Sequence, residues 1–232
     1  MRSRLASLTR LRVPPVTLAF VTAPMLVGAP MPGPAGQAWA APEPSLIPTR
    51  WQLDINPGPL RVAEVNVTSQ VAGPNGSVIT VEEPRRFFYL TYTVTNGTGQ
   101  DLMFAPSFEL ATDAGELVKS GRGVPAEVTR EILNRLRNPL MQDQIGIIGN
   151  LGQGPENAKE GVVIWPAENL RVDEITIFAS GFSGESERVR RPDTGEEVVL
   201  RKVLMLRHET PGTIARHGDD PVERVQQRWI LR

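Results

Sequence analysis

The chain contains no cysteine. It can hold no disulfide, no thiolate nucleophile and no Cys-ligated metal, and its stability must come from its apolar core. Histidine is almost as scarce: His208 and His217 are the only two, so imidazole acid–base or metal chemistry has little to work with. Lysine is sparse as well, three residues against 22 arginines, a ratio more in keeping with a GC-rich coding genome than with selection for guanidinium chemistry. No apolar run reaches the roughly 20 residues a membrane-spanning helix needs. No internal repeat occurs, and strand–helix–strand alternation is never sustained, which excludes a Rossmann-type fold.

What is present begins with an N-terminal segment unlike the rest. Arg2, Arg4, Arg10 and Arg12, with no acid among them, precede the apolar run Val16 to Val27, and Ala38-Trp39-Ala40 supplies small residues at a peptidase site. Residues 1–40 are therefore expected to be an export signal, delivering the chain to the periplasm or the exterior. Retention as an uncleaved anchor is the alternative, and only then would a membrane be a partner. No cysteine follows the run, so lipid anchoring through one is excluded. Residues 41–50 ("APEPSLIPTR") read as a Pro-rich tether and residues 51–232 as one domain. With the four signal arginines set aside, 21 basic and 26 acidic residues remain, a balance of −5. A mildly acidic body argues against nucleic acid, whose binding is led by phosphate neutralisation.

Strand chemistry dominates this body. Trp51, Leu53 and Ile55 alternate with polar residues until Asn56-Pro57-Gly58, which reads as a turn; Arg61 to Thr68 and Val78 to Val81 flank Gly73-Pro74-Asn75-Gly76. The clearest strand is Arg86 to Thr95, with Phe88, Leu90, Tyr92 and Val94 on one face and Phe87, Tyr89 and three threonines on the other, as in an antiparallel sheet with one wet side. Leu102 to Ala111, Gly161 to Trp165, Glu174 to Ser180 and a hairpin around Pro192-Asp193-Thr194-Gly195 follow, and a last strand carries Val225, Gln227, Trp229 and Leu231. Between about 124 and 151 the period changes. Pro125 opens a helix with Val128, Ile132, Leu133 and Leu136 on one stripe, and a weaker amphipathic stretch runs from Leu140 to Ile148. The expected fold is mainly β, an immunoglobulin-like antiparallel β-sandwich with a short two-helix insertion capping one end outside the sandwich. The helical stripe is either covered by the chain's own sheet or left for a partner.

Reactive constellations are few. Gly181-Phe182-Ser183-Gly184-Glu185 approaches the G-x-S-x-G elbow but ends in Glu185 and leads into a strand instead of a helix, so a polar turn is the expectation. His208 and His217, with Glu209, Asp219 and Asp220, could be imagined around a metal ion; without ligand spacing they read as solvated loop residues. Glu82-Glu83 and Glu196-Glu197 point to opposite strand faces and cannot flank one glycosidic bond. Gly149 to Gly154 ("GNLGQG") lacks the Lys-Ser/Thr of a phosphate loop and follows a helix. The sequons at Asn66, Asn75 and Asn96 are not read as glycan sites; Asn75-Gly76 and Asn96-Gly97 are expected as turns tolerating positive φ. Phe87, Tyr89, Phe104, Phe108, Trp165 and Phe178 make either core or a carbohydrate- or peptide-binding platform, with core the commoner fate.

Asn96, Thr98, Gly99, Leu102, Phe104, Leu110, Asp113 and Gly115 follow a pattern that resembles immunoglobulin-like domains of exported bacterial proteins, and Gly161, Trp165 and Pro166 are similar to their closing strand pair. With the "VPAEVTREILNRLRNPL" segment, the chain resembles a group of uncharacterised exported bacterial proteins with a single immunoglobulin-like β-sandwich domain. That resemblance implies a fold and no activity. A weaker similarity to intracellular proteinase inhibitors implies protease inhibition. The expectation is a non-catalytic envelope-associated binding or structural module, with no catalytic, cofactor or metal residues and with another envelope protein or a polysaccharide as partner. A hydrolase with a site assembled only by the fold is the alternative.

Overall fold

The computed structural model describes residues 41–210, 214 and 220–232. The expected export signal, His217 and most of the loop after Glu209 lie outside them. The described residues form twelve strands and one α-helix.

Strands β1 (Asp54–Ala72) and β2 (Val78–Asn96) make one long hairpin, in register from Asp54↔Thr95 to Ala72↔Val78. Both are continuous where the sequence pattern suggests breaks. Asn56-Pro57-Gly58 is not a turn but a bulge, with the register shifting between Pro57 and Leu60. β1 is an edge strand, where a proline without an N–H is tolerated. Gly58 lets the bulge press on the partner: a Cβ there would lie 2.4 Å from Thr91 Oγ1. Pro84 is accommodated for a related reason, because the next strand, β8 (Gly154–Pro166), pairs β2 only from Phe87 onward.

The expected strand Leu102 to Ala111 is two. β3 (Leu102–Phe104) pairs with β7 (Gly149–Leu151), whereas β4 (Ser107–Thr112), beyond Ala105-Pro106, joins a different sheet. β5 (Leu117–Lys119) returns beside β4, and β9 (Glu174–Ser180) pairs with its other edge. β10 (Ser186–Arg190) and β9 pair successive halves of β11 (Glu197–Glu209), and β12 (Glu223–Leu231) pairs with β11 as well. A four-stranded sheet ordered β1-β2-β8-β6, with β6 (Met141–Gln142) parallel to β8, thus faces a six-stranded sheet built on β11, β9 and β4. Leu60, Phe88, Leu90, Tyr92, Val94 and Trp165 from the first meet Phe108, Leu110, Ile177, Leu204 and Leu206 from the second in a continuous apolar core. The result is a sandwich-like β fold. Gly161 has its reason here: its missing side chain is the space taken by the Tyr92 ring, 2.5 Å from where a Cβ would stand.

Helix α1 (Ala126–Leu136) lies on the outer face of the four-stranded sheet, not at its end. Val128 and Ile132, one helical turn apart, are buried against Ala63, Val65, Val67, Phe87, Val162 and Ile164. The outer face is therefore dry around Phe87, contrary to a sheet with one wet side. Arg137, at φ 51°, ends the helix in the left-handed conformation. The expected second helix does not form. Asp143 Oδ1 accepts the N–H groups of Ile145 and Gly146, fixing a turn where a helix would have continued, and Met141–Gln142 is drawn into the sheet. "GNLGQG" consequently follows this turn, not a helix, and forms β7 and the start of β8.

Candidate functional site

The segment that nearly matched a nucleophile elbow is bent at Gly181, φ +90°, where a Cβ would stand 2.8 Å from the Ala105 carbonyl. From there the residues are anchored one by one. Phe182 is buried among Tyr92, Phe104 and Phe108, at ring-centroid distances of 5.8, 5.3 and 5.6 Å. Leu53 N–H donates to Phe182 O at 2.8 Å and Gly184 N–H to Trp51 O at 3.0 Å, so residues 51–53 run antiparallel to 182–184. Gly184 accommodates the Trp51 indole, whose Nε1 lies 2.4 Å from where a Cβ would be.

Glu185, the residue that spoiled the motif, turns inward to Lys202. Alternation along β11 puts Leu200, Lys202, Leu204, Leu206 and His208 on one buried row, so a charge sits in an apolar stripe. Lys202 Nζ lies 2.9 Å from Glu185 Oε2, with side-chain exposures of 3% and 8%. The rest of the site comes from the tether. Ser45 N–H donates to Glu185 Oε1 at 2.9 Å, and Lys202 Nζ donates to Ser45 O at 3.2 Å while facing the Trp229 ring at 5.7 Å. Burial alone would raise the Glu185 carboxyl, but the hydrogen bonds from Lys202 and the Ser45 backbone, with the Lys202 charge, outweigh it and hold the group below its ordinary range. The pair forms part of the wall of a groove of about 340 Å³, with Trp51, Ser107, Ser180, Ser183 and Arg201.

Ser183 lies in this groove, its Oγ accepting the Glu185 N–H at 3.2 Å, and strand β10 follows, as the sequence indicated. Lys202, on the same wall, donates to a carboxylate and a carbonyl. Sequence reasoning passed over Lys202 and Ser45. The available signal was Lys202 itself, one of three lysines in the chain, at an apolar position of an alternating strand.

His208 is not a solvated loop residue. It is fully buried at the far end of the same row, opposite Ile175 and Arg224, with neither ring nitrogen bonded to protein. Burial, helped by the Arg224 charge, pushes its imidazole down to about 4. Its suggested companions His217 and Asp219 lie outside the described residues, among which no three His, Asp or Glu side chains converge as a metal site. Glu82, Glu83, Glu196 and Glu197 are all exposed. Of the aromatic candidates, Phe87, Phe104, Phe108 and Trp165 are core, while Tyr89 and Phe178 are half-buried, Phe178 beneath the Arg232 guanidinium at 4.0 Å. Asn75 adopts the expected positive φ, 62°, but Asn96 does not. Asn96 ends β2 fully buried: its Nδ2 donates to Gln100 O and Leu151 O, and its Oδ1 accepts from Thr98 N–H and Oγ1.

A second concavity, about 420 Å³, lies between α1 and the turn at 143–145, on the outer face of β8. Val162, Ile164, Val124 and Leu133 supply apolar lining; Thr129, Arg130, Asn134, Asp143 and Gln144 supply polar groups. Its size is that of a small-molecule pocket. Comparisons with known protein families, characterised proteins and solved structures give no match for the chain.

Proposed function

We propose that the chain is an exported, non-catalytic β-sandwich of immunoglobulin-like topology that works by binding another component of the cell envelope. The observation that carries the binding reading is how Ser183, Glu185 and Lys202 are engaged. A serine nucleophile needs a base with a free lone pair within reach. Lys202, the basic side chain buried in the same groove, is instead held by Glu185 and Ser45 O.

Strand order supports the topology. In chain order β1, β2, β6 and β8 occupy one sheet as β1-β2-β8-β6, and β4, β9 and β11 are neighbours in the other, which parallels the A-B-E-D and C-F-G sheets of immunoglobulin domains. The parallel pairing of β6 and the added β10 and β12 depart from that plan. Export is supported by the basic, then apolar, then small-residue pattern of residues 1–40. A mature N-terminus at Ala41 is expected from N-terminal sequencing; Met1 recovered in membrane fractions would replace export by anchoring.

The test of the binding reading is a screen of the protein on ester, phosphate, glycoside and peptide substrates. No turnover is expected, and an activity lost in Ser183→Ala would overturn the reading. A hydrolase, the rival class, would draw on the pocket under α1, where Arg130 and Asp143 stand over an apolar floor. An activity that survives Ser183→Ala but disappears in Asp143→Asn would locate it there.

A further inference from the structure

The Glu185–Lys202 pair offers a carboxylate and an ammonium side by side at the end of the core, and what they hold is a peptide main chain. One residue, Ser45, gives its N–H to Glu185 Oε1 and its C=O to Lys202 Nζ. That is the donor–acceptor set an extended residue presents along one edge, the same set a neighbouring strand would satisfy. The large apolar side chains that follow it contribute no burial, Leu46 being 102% exposed and Ile47 81%, while Pro42 and Pro44 before it are half-buried. The two main-chain hydrogen bonds of Ser45, with partial burial of Pro42 and Pro44 and none from Leu46 and Ile47, therefore fix this part of the tether. Few such contacts also mean that the tether can leave without unfolding the sandwich, since residues 51–53 stay paired with 182–184.

We propose that Glu185 and Lys202 form a receptor for the main chain of an extended polypeptide, and that the tether occupies it in cis until a partner's extended segment takes its place. The inference rests on the non-catalytic binding reading and names its ligand class. A buried ion pair contributes little net stability compared with apolar residues of the same volume, so its presence at a surface-connected groove calls for a use. Recognition of main-chain groups is the mode by which sheet edges take up peptides. The ligand must be extended and must carry a free N–H at the contacting residue, so proline at that position is refused. Tethering in cis makes the competition steep: a short linker presents its segment at an effective concentration of order millimolar.

The absence of cysteine makes the experiment direct, because Leu46→Cys gives the full chain a single thiol for a spin label. Ser45→Pro removes the donated N–H from an exposed segment and leaves the ion pair in place. Four outcomes are expected. The label is more mobile in the Ser45→Pro chain than in the otherwise unaltered chain, at the same thermal midpoint. A synthetic peptide of residues 41–50 binds the Ser45→Pro chain at least about tenfold more tightly than the unaltered chain, as removal of a millimolar competitor requires. The same peptide with proline at the serine position does not bind. The double variant Glu185→Gln, Lys202→Met, checked for native circular dichroism, loses peptide binding. Equal label mobility in the Ser45→Pro and unaltered chains, or equal binding of the serine and proline peptides, would overturn the proposal while leaving the non-catalytic reading intact. Hydrolysis of the peptide would instead overturn that reading.

Discussion

His208 carries a pH dependence that can be worked out from its surroundings. Its imidazole is neutral in the core, pushed down to about 4 by burial and then by the Arg224 charge, whereas in the unfolded chain it titrates near its ordinary value of about 6.5. Between those values the unfolded state binds more protons, so stability rises with pH. The contribution is complete above about pH 6.5 and is lost as the pH falls through about 4, amounting at most to roughly 3 kcal/mol at ~1.4 kcal/mol per pH unit. Denaturant melts from pH 4 to 8 should show this slope, and His208→Leu should flatten it; an unchanged slope would mean that the ring is solvated. Glu185 acts lower. Its depressed carboxyl stabilises the fold above the ordinary carboxylate range, and that part is lost as the acid form takes over. Lys202→Met alone should cost about 3–5 kcal/mol by stranding a buried carboxylate, while Glu185→Gln combined with Lys202→Met should recover much of it. A double variant as weak as the single one would show that Lys202 supports the fold by something other than the pair. Asn96 is a third such position. Asn96→Ala would take this donor from the buried Leu151 carbonyl and the acceptor from the Thr98 N–H, while Gln100 O keeps Thr98 Oγ1 and Gln153 Nε2, and a loss of about 1–3 kcal/mol in a denaturant melt is expected for the buried group left without its partner.

The elements show what alternation can and cannot reveal. Phe88, Leu90, Tyr92 and Val94 could be assigned to one buried face from their spacing alone, and so could Val128 and Ile132 in α1. Continuity could not. β1 and β2 run on through Asn56-Pro57-Gly58 and Pro84 because edge positions and a bulge spare the proline its missing hydrogen bond, and edges are a property of the assembled sheet. The same holds for Leu140 to Ile148. Its apolar residues fit a helical stripe, yet Ile147 is buried while Leu140, Ile145 and Ile148 are exposed, since the Asp143 side chain competes successfully for the amides of Ile145 and Gly146. The candidate groove was half legible. Ser183 and Glu185 are two residues apart in the motif, but the partners of Glu185 lie 17 residues downstream at Lys202 and 140 upstream at Ser45, and no local spacing reports such contacts. For α1 the decisive probe is Ile132, 1% exposed, in preference to Leu133, which lines the pocket. Ile132→Ala should cost about 2–5 kcal/mol in a denaturant melt, and Leu133→Ala distinctly less. Comparable losses at both would place Leu133 in the core as well.

At the scale of the molecule, the long hairpin is the feature that the sandwich does not require. β8 stops pairing at Phe87, and β2 continues outward to Val78, about 30 Å farther at ~3.3 Å per residue. α1 covers the root of this arm through Ala63, Val65 and Val67, and Glu127 accepts the Thr68 N–H at 2.9 Å. Beyond Thr68 no residue of the arm with a described side chain is buried, and Val71, Val78 and Ile79 are exposed at 42%, 67% and 43%. Glu82, Glu83, Arg85 and Arg86 stand exposed along the returning strand β2, the charged residues that keep a bare hairpin from pairing with its like. Ser69 and Val81 face one another in register, so Gln70 to Thr80 can be replaced by Asn-Gly, the two-residue turn that matches strand twist. Because none of the excised residues with a described side chain is buried, the shortened chain should unfold within about 1 kcal/mol of the full one and keep the pH slope set by His208. A loss well above that would mean that the arm packs back on the sandwich in solution, and the root covered by α1 would then no longer mark where the domain ends.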